Sequence, residues 1–386
     1  MTSTPAIAQA DGPAFLHHIR EHGSMYFPEL GSAPLTVNLI TRSERPRSCL
    51  YRFSLAAASL RRDVIVKVSD PPRRHASAHE AARLLFGAIP PASSELDEAE
   101  LPQLRYEGLR LIHEHFSSLG DPRFGSVRPL DYLPERRAVI MEHVDEPTLR
   151  EAMQKGSRLA IRRSGDVAQA FGNTGAWLRK YHQLVPAQAI ATRGATRAEL
   201  LETMALYARY LATVSNDESF FSGLTDRLDR HALHDLPERL PLGLTHADFL
   251  PRNVFVGAGY RVTAFDALPR WRVPIYRDLA RFTVGLRSVG PQVATMGMAY
   301  SRERLEEYER SFLEGYFATG ATPLRSVQLY EMLVVLERWA WLKARSGQAL
   351  KRKRIQKGVQ LRLMDAFFRR EAGRLLGELE AGGRTS

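Results

Sequence analysis

Three polar residues that follow His246 have types and spacing that suit phosphoryl transfer. Asp248 lies two residues after His246, and Asn253 follows five residues later. Asp266 comes thirteen residues after Asn253. Phosphoryl transfer needs a carboxylate to orient the accepting hydroxyl and take its proton, and it needs oxygen ligands for Mg²⁺. The sequence therefore predicts Asp248 as the base and Asn253 and Asp266 as metal ligands.

The segments between these residues have the composition of a short hairpin. The apolar runs 254–256 (V-F-V) and 262–265 (V-T-A-F) are separated by G-A-G-Y, a pattern typical of two strands joined by a turn. Such a hairpin would hold Asn253 and Asp266 near each other, beside the loop that carries Asp248. Asp and Asn also initiate turns, which is the simpler explanation for any one of them alone. The complete spacing favours the catalytic interpretation.

The pattern H-x-D-x-x-x-x-N, followed by a strand that ends in Asp, resembles the aminoglycoside phosphotransferase and choline kinase family, relatives of the protein kinases. The similarity extends over most of the chain, roughly from residue 35 to residue 345. It implies an α+β, two-lobed, protein-kinase-like fold with a five-stranded antiparallel sheet in a small N-terminal lobe and a larger, mostly helical C-terminal lobe. It also implies ATP or GTP and Mg²⁺ as cofactors, with Asp248 as the base and Asn253 and Asp266 on the metal.

Apolar segments rich in β-branched and aromatic residues predict the strands of the first lobe. They lie at 35–40, 49–56, 63–68, 129–133 and 137–144. We expect a nucleotide-binding lobe over 1–144, with a helical lead-in over 1–33 and an insertion over about 70–101. A catalytic helical lobe is expected over 145–386. Helical periodicity predicts helices at 104–116, 165–185, 198–240 (two helices separated near 215–216), 276–289, 302–317, 325–346 and 350–376.

The nucleotide site implied by the resemblance draws on the first lobe. Lys67, inside the third strand, is the expected partner of the nucleotide phosphates, although a lone lysine in a strand is commonly a surface residue. The glutamate that pairs with this lysine in the family maps to Glu107, with Glu80 as the alternative. Either glutamate could instead be a solvated helix charge.

The remaining nucleotide contacts fall in a turn and at the lobe junction. The turn over 41–48, T-R-S-E-R-P-R-S, stands where kinases have a glycine-rich phosphate cover, but it contains no glycine. Ser43, Ser48 and backbone N–H groups are its candidates to cap phosphates, and its arginines can equally be solvated loop charges. At the junction, the resemblance places the backbones of Glu142 and Val144 against adenine, although a plain strand end would have the same sequence.

Residues around the catalytic loop carry further expectations. The segment P-I-Y-R-D-L-A resembles the family's segment behind that loop, with Asp278 accepting backbone N–H groups and not acting as a catalyst. His182, near the end of a predicted helix, is expected to belong to the core. Arg252 and Ala267 stand where the family frequently has glycine. These two departures leave the chemical groups intact and bear on the type of substrate.

Composition limits the class of protein. The 386 residues are 44% hydrophobic, which is sufficient for a globular core, and the single cysteine, Cys49, excludes an intramolecular disulfide. The first thirty positions carry polar and charged residues throughout, and no apolar run reaches the ~18–20 residues of a membrane span. We therefore expect a soluble protein in the reducing cytoplasm.

The charge near the catalytic loop predicts a neutral or anionic acceptor, such as a sugar, a glycan or a related metabolite. A polycationic aminoglycoside would instead call for carboxylates. Trp271 lies among these charges and could stack on a sugar. The arginines can equally balance nucleotide phosphates or pair with the acids of 95–100. The arginines in question are Arg252, Arg270, Arg272 and Arg277.

The net charge of +11 is concentrated at the C-terminus, where only Asp365 and Glu371 are acidic between Lys343 and Arg374. This segment is either a surface helix with a solvated charged face or a contact for an anionic membrane, a lipid-linked glycan or another polyanion. No nucleic-acid-binding module is recognisable, so no specific nucleic-acid partner is expected. The alternatives to a metabolite kinase are an aminoglycoside-type kinase and a non-catalytic nucleotide- or polyanion-binding protein of the same fold.

Overall fold

The computed structural model describes most of the chain. The described residues are 7–31, 34–45, 48–57, 59–69, 100–155, 167–186, 190–295, 298–318, 320–349 and 354–382. Residues 70–99, most of the expected insertion and including Glu80, lie outside them. No helix of the described residues is long and apolar enough to span a bilayer.

A five-stranded antiparallel sheet occupies the N-terminal part of the chain, as predicted. Its strand order is β1-β2-β3-β6-β5. The strands of this part are β1 (Thr36–Arg45), β2 (Ser48–Ala57), β3 (Leu60–Ser69), β4 (Phe124–Ser126), β5 (Pro129–Leu133) and β6 (Ala138–Glu142). The two helices of this part are α1 (Ile7–Tyr26) and α2 (Leu101–Leu119).

The predicted turn over 41–48 is wrong, because β1 and β2 continue through most of it. Arg45 is the register partner of Ser48, and Ser43 is the partner of Leu50. β1 is an edge strand, so its charged side chains stay in water while one side of its backbone is hydrogen-bonded. Polar composition therefore does not end the strand here.

Helix α1 covers one face of the sheet and leaves the other free for the site. Phe15 and Ile19 are fully buried against Phe53 and Val66. The helix is also tied to β5, because Tyr26 donates a hydrogen bond of 2.8 Å to Asp131. Lys67 alternates with Val66 along β3, so its side chain lies on the opposite face.

The C-terminal part is mainly helical, with short strands around its loops. Its helices are α3 (Leu149–Lys155), α4 (Ala168–His182), α5 (Arg197–Ser215), α6 (Glu218–Asp235), α7 (Tyr276–Arg287), α8 (Gly290–Ala294), α9 (Arg302–Phe317), α10 (Leu324–Ala349) and α11 (Arg354–Gly382). Its strands are β7 (Leu242–Leu244), β8 (Val254–Val256), β9 (Val262–Ala264) and β10 (Arg272–Pro274). Aromatic rings form the centre of its core, among them Trp177, Phe249, Phe282 and Phe312.

The described part of α11 packs its apolar face into this core. Phe367, Phe368 and Leu375 are buried, while Arg369 pairs with Asp217 on the outside. Lys343 of α10 likewise pairs with Asp365, at 2.7 Å. These contacts favour the interpretation of a surface helix whose charges are partly neutralised within the protein.

Candidate active site

The hairpin predicted between Asn253 and Asp266 is present. Strands β8 and β9 pair antiparallel, with Val254 opposite Ala264. The N–H of Phe265 donates to the carbonyl of Asn253 at 3.2 Å, so the backbones that carry Asn253 and Asp266 lie side by side. β9 also pairs in parallel with β4, which supports the hairpin from the N-terminal side.

The loop that carries Asp248 is held from behind by a buried carboxylate, as predicted. Asp278 is fully buried and accepts the backbone N–H of His246 at 2.7 Å. His182 lies 3.3 Å from Asp278 and 2.7 Å from the hydroxyl of Tyr316, which makes it a member of a core network. Burial raises the pKa of Asp278, but the hydrogen bond to His182 and the nearby imidazoles outweigh it and lower that pKa overall. The loop is therefore anchored to an ionised group.

Asp248 and Asn253 are directly connected. The amide Nδ2 of Asn253 donates to Oδ2 of Asp248 at 2.9 Å and to its backbone carbonyl at 2.8 Å. Asn253 is buried, whereas 37% of the Asp248 side chain is exposed. Arg252 contacts both carboxylate oxygens of Asp248, at 2.9 and 3.1 Å. Asp248 is thus both fixed in orientation and reachable from solvent.

Lys67 and Asp266 bring the sheet and the hairpin together. The Nζ of Lys67 lies 2.5 and 2.6 Å from the two carboxylate oxygens of Asp266. Burial raises the pKa of Asp266, but the charges of Lys67 and Arg105 more than offset this effect and lower the pKa to about 2. Asp266 also has a left-handed backbone, with φ 67°, which costs on the order of 1 kcal/mol for a residue with a Cβ. The carboxylate is therefore held ionised at a fixed position facing the sheet.

The oxygen donors near this point fit a hard divalent cation such as Mg²⁺. Asp266 supplies a carboxylate that stays ionised, and Asn253 supplies an amide oxygen because its Nδ2 is already engaged by Asp248.

The expected pairing of Lys67 with Glu107 does not occur in the structure. Glu107 is exposed on α2 and accepts a hydrogen bond from Gln103 at 2.9 Å. The α2 residue that faces Lys67 and Asp266 is Arg105, whose Nε lies 3.9 Å from Asp266. Residues two apart on a helix point in nearly opposite directions, so only one of the two can face the site.

Two structural features place Arg105 at this point. Its Nη1 donates to the hydroxyl of Ser69 at 3.1 Å, which fixes the guanidinium against the end of β3. A Cβ at Gly108 would lie 2.5 Å from the carbonyl oxygen of Ala267, so only glycine permits α2 to approach the segment after Asp266 this closely. The sequence analysis missed Arg105 because it searched this helix for an acid.

The remaining nucleotide-site candidates border the same face of the sheet. Ser43, Leu50 and Lys67 are successive register partners, and directly paired residues of an antiparallel sheet share a face. By the same register, Ser48 is the partner of Ser69 and lies on that face too. The two serines therefore lie on the same face as the lysine, but within strands and not in a loop.

An apolar cluster lies next to this face, at the end of β6. Val139 and Met141 are buried in it, and Val144 packs against it just after Glu142, the last residue of β6. The backbone N–H of Glu142 already donates to the carbonyl of Arg128. Across from these residues, Phe255 and Phe265 of the hairpin stack with ring centroids 4.8 Å apart. This face of the sheet thus has an apolar end, near Val144, and a charged end, near Lys67.

Most of the arginines that suggested the acceptor's charge have other partners. Arg270 pairs with Glu100 at 2.6 Å, and the guanidinium of Arg277 lies 3.8 Å from Glu337. Arg272 donates to a backbone carbonyl of β7. Trp271 is buried, with Arg270 and Arg193 over its ring, so the expected stacking on a sugar is not available. Of this group, Arg252 alone contacts Asp248.

A cavity of about 300 Å³ opens beside Asp248, and Lys67 is not among the residues that line it. The sequence analysis missed it, because its walls come from elements that lie far apart in the sequence. The arginines that line it are Arg150, Arg252, Arg281 and Arg338.

Comparison with known proteins identifies related families. A family model described as a phosphotransferase enzyme family matches residues 52–265, which is more than half of the chain. The match includes Lys67, Asp248 and Asn253 and ends one residue before Asp266. No curated protein sequence matches the chain significantly.

Solved structures agree at the level of the fold. The macrolide 2′-phosphotransferase of Brachybacterium faecium is 13% identical with a TM-score of 0.52, over 93% of this chain and 97% of that one. The ethanolamine kinase of Plasmodium vivax is 12% identical with a TM-score of 0.51, over 94% of this chain and 91% of that one. The predicted kinase-like α+β fold is confirmed.

Proposed function

This chain belongs to the phosphotransferase enzyme family, and we propose that it transfers the γ-phosphoryl group of ATP or GTP to a hydroxyl of a small molecule. The observation that carries this proposal is the convergence of four side chains from distant parts of the sequence. Lys67 touches Asp266, and Asn253 donates to Asp248. Asn253 precedes β8 and Asp266 follows β9, and the pairing of these two strands brings the two contacts together.

In the proposed reaction, Asp248 is the base. Its carboxylate is held by Asn253 and remains partly exposed beside a cavity in which an acceptor can lie. Asp248 takes the proton of the acceptor hydroxyl while the oxygen of that hydroxyl forms the new bond to the γ-phosphorus. The bond between the γ-phosphorus and the bridging oxygen breaks, and the nucleoside diphosphate leaves.

The phosphates of the nucleotide would be held next to Asp266, on the side of Lys67 and Arg105. Lys67 and Arg105 supply positive charge there, and Ser43 and Ser48 lie on the same face of the sheet. Asn253 and Asp266 would hold Mg²⁺, which supplies charge neutralisation on the phosphate oxygens when bound. We assign no nucleotide contact to Glu107, because its side chain faces solvent.

The base of the nucleotide would bind at the apolar end of this face of the sheet. Val144, Phe255 and Phe265 border it, and the backbone at Glu142 and Val144 is the proposed hydrogen-bonding edge. The N–H of Glu142 already donates to the carbonyl of Arg128, so other backbone groups of this edge would contact the nucleotide base. Apolar side chains above and below a flat base are a common way to bind it.

We further propose a neutral or anionic acceptor, such as a sugar, a glycan or a related metabolite, and a cytoplasmic location. Asp248 is the only carboxylate among the cavity-lining residues that the structure describes, which disfavours a polycationic aminoglycoside. The single cysteine, Cys49, is buried and free, in keeping with a reducing compartment. The packing of α11 gives no support to a membrane partner, so none is proposed.

The test is Mg²⁺-dependent transfer of labelled γ-phosphate from ATP and from GTP across a panel of neutral, anionic and cationic hydroxyl compounds. We expect label in at least one acceptor, and loss of that transfer in the Asp248→Asn variant and after chelation of the metal. Nucleotide binding without transfer to any acceptor would instead favour a non-catalytic nucleotide-binding protein.

A further inference from the structure

The cavity beside Asp248 has an unusual balance of charge. Arg150 comes from α3, Arg252 from the catalytic loop, Arg281 from α7 and Arg338 from α10. Four guanidinium groups thus face a space whose lining, as far as the structure describes it, includes one carboxylate, that of Asp248.

Two of the four arginines are neutralised within the protein. Arg252 pairs with Asp248 at 2.9 Å. Arg281 pairs with Glu337 at 3.1 Å, and the same carboxylate lies 3.8 Å from Arg277, so it already serves two guanidinium groups.

The other two arginines form no ion pair with a carboxylate of the described residues. Arg338 donates to the hydroxyl of Ser288 at 2.6 Å and to the carbonyl of Arg281 at 3.4 Å, which are neutral acceptors. Arg150 is half-buried on α3 and forms no ion pair with any carboxylate in the described part of the chain. Both side chains nevertheless line the cavity.

An unneutralised guanidinium away from water is unfavourable, because it loses hydration without gaining a counter-charge. At Arg338, burial and the neighbouring charge of Arg281 outweigh the opposing charges of Glu337 and Asp248 and lower its pKa to about 10. An oxyanion entering the cavity would supply the missing counter-charge. Arginine is well suited to that task, because its planar fork can donate two parallel hydrogen bonds to a phosphate or a carboxylate.

The cavity is distinct from the nucleotide side of the proposed site. Lys67, Arg105 and Asp266 do not line it, whereas Asp248 does. A group bound between Arg150 and Arg338 would therefore lie on the acceptor side of Asp248, the proposed catalytic base. A volume of about 300 Å³ is at the lower end of the range for ligand pockets and suits a molecule of about monosaccharide size.

We propose that this cavity is the acceptor subsite and that Arg150 and Arg338 bind an oxyanion of the acceptor, either a phosphate monoester or a carboxylate. This anchor presents a hydroxyl of the same molecule to Asp248. The inference rests on the proposed function and narrows its acceptor from neutral or anionic to anionic. It also implies that cationic acceptors are rejected by repulsion, since nothing in the described lining could neutralise them except Asp248.

The test compares four hexoses that differ in one group: glucose 6-phosphate, glucuronate, glucose and glucosamine. Calorimetry on the full chain measures their binding in wild type and in the Arg150→Gln and Arg338→Gln variants. The control is Arg310→Gln, which removes the same charge from an exposed position on α9. Arg150→Gln keeps the test valid if the Arg338 variant misfolds, because Arg150 forms no ion pair within the described part of the chain.

We expect at least one of the two anionic hexoses to bind ~10-fold or more tightly than glucose, and glucosamine to bind no better than glucose. Each arginine variant should weaken anion binding by ~10-fold or more, as expected for loss of a charged hydrogen bond, while Arg310→Gln leaves it unchanged. The comparison between phosphate and carboxylate identifies which oxyanion is preferred.

Three results would overturn the inference: absence of binding by both anionic hexoses, equal or tighter binding of glucose or glucosamine, or unchanged anion affinity in both arginine variants. Phosphoryl transfer is measured separately, so that failure of the subsite can be distinguished from failure of the proposed function. Transfer to neutral or cationic acceptors without a preference for anions refutes the subsite alone. Anion binding that depends on Arg150 and Arg338, with no transfer to any acceptor, refutes the enzymatic role alone.

Discussion

Two aspartates of one site are placed in different surroundings, and this difference divides their roles. Asp248 is partly exposed beside the cavity, and its neighbours are Asn253 and Arg252. Asp266 faces the sheet, and both of its oxygens contact Lys67. A carboxylate open to a cavity suits proton transfer from an acceptor, whereas one fixed at an ionised position suits binding of the metal ion that neutralises the phosphates.

This division predicts different kinetic defects for the two alanine variants. Asp248→Ala should leave Mg-nucleotide affinity largely intact and reduce turnover by roughly 10²–10⁴-fold, because it removes the base. Asp266→Ala should weaken metal-dependent nucleotide binding itself. Calorimetry with Mg-nucleotide and steady-state kinetics separate the two. Loss of nucleotide affinity in Asp248→Ala, with affinity and turnover spared in Asp266→Ala, would mean that the roles are reversed.

Arg105 and Glu107 provide a second test at the residue scale, because they lie on one helix but face opposite ways. Arg105→Gln should weaken nucleotide binding by roughly 3–10-fold, since Arg105 is the second cation beside Asp266. Glu107→Gln should bind nucleotide and turn over like the wild type, because its side chain is exposed and contacts Gln103. Nucleotide titration of both variants decides the point. A strong defect in Glu107→Gln alone would restore the pairing with Lys67 that the family resemblance implies.

At the scale of secondary-structure elements, the features that a few neighbouring residues determine were predictable from the sequence. The break between α5 and α6 is an example, because Asn216 adopts a left-handed C-cap and Asp217 caps the next helix. The hairpin of β8 and β9 was also predictable, since two apolar runs flank a glycine-containing turn.

Features that depend on packing were not predictable. Strands β4, β7 and β10 have three residues each, too few for a periodic signal, and they exist because of their partners. The direction in which α2 faces depends on the contact between Gly108 and Ala267, which are far apart in sequence. The cavity likewise joins residues from Arg150 to Arg338, and no sequence spacing brings these together.

The crossing of α4 and α9 yields a prediction about an element contact. A Cβ at Gly175 would overlap the carbonyl oxygen of Phe312, so Gly175→Ala must push the two helices apart. We expect a loss of ~1–3 kcal/mol in the free energy of unfolding. The matched control is Gly223→Ala in α6, where a Cβ meets nothing within 4 Å. There alanine should stabilise the chain by ~0.5–1 kcal/mol through better helix propensity.

Urea unfolding of both glycine variants measures these effects. Equal stability changes at the two positions would show that the helix crossing adapts to the methyl group. The site itself would also respond, because Tyr316 of α9 contacts His182, which in turn contacts Asp278. A displaced α9 should therefore lower turnover as well as stability in Gly175→Ala.

For the molecule as a whole, buried charge is distributed unevenly along α10. Glu337 is buried but pairs with Arg281 and Arg277. Burial raises its pKa, yet these arginines and Arg338 outweigh burial and lower the pKa overall. Glu331, on the same helix, is equally buried, and its Oε1 has no hydrogen-bond partner in the described part of the chain. Burial, together with the nearby charge of Glu309, raises the pKa of Glu331 to about 8.

The same substitution should therefore have opposite effects at these two positions. Between pH 4.5 and about 8 the folded chain holds a proton on Glu331 that the unfolded chain releases, so stability falls as the pH rises through this window. Glu331→Gln removes this loss of stability and should stabilise the protein by on the order of 1–3 kcal/mol at pH 8, and by much less at pH 5.

Glu337→Gln leaves two arginines without a counter-charge and should destabilise the protein by ~3–5 kcal/mol at neutral pH. The lowered pKa of Glu337 gives its contribution the opposite sign, because it is present above the unfolded pKa and lost as the pH falls. Urea unfolding of both variants at pH 5, 6.5 and 8 provides the measurement, and a Glu331→Gln effect that does not grow with pH would show that this carboxyl is ionised in the folded chain.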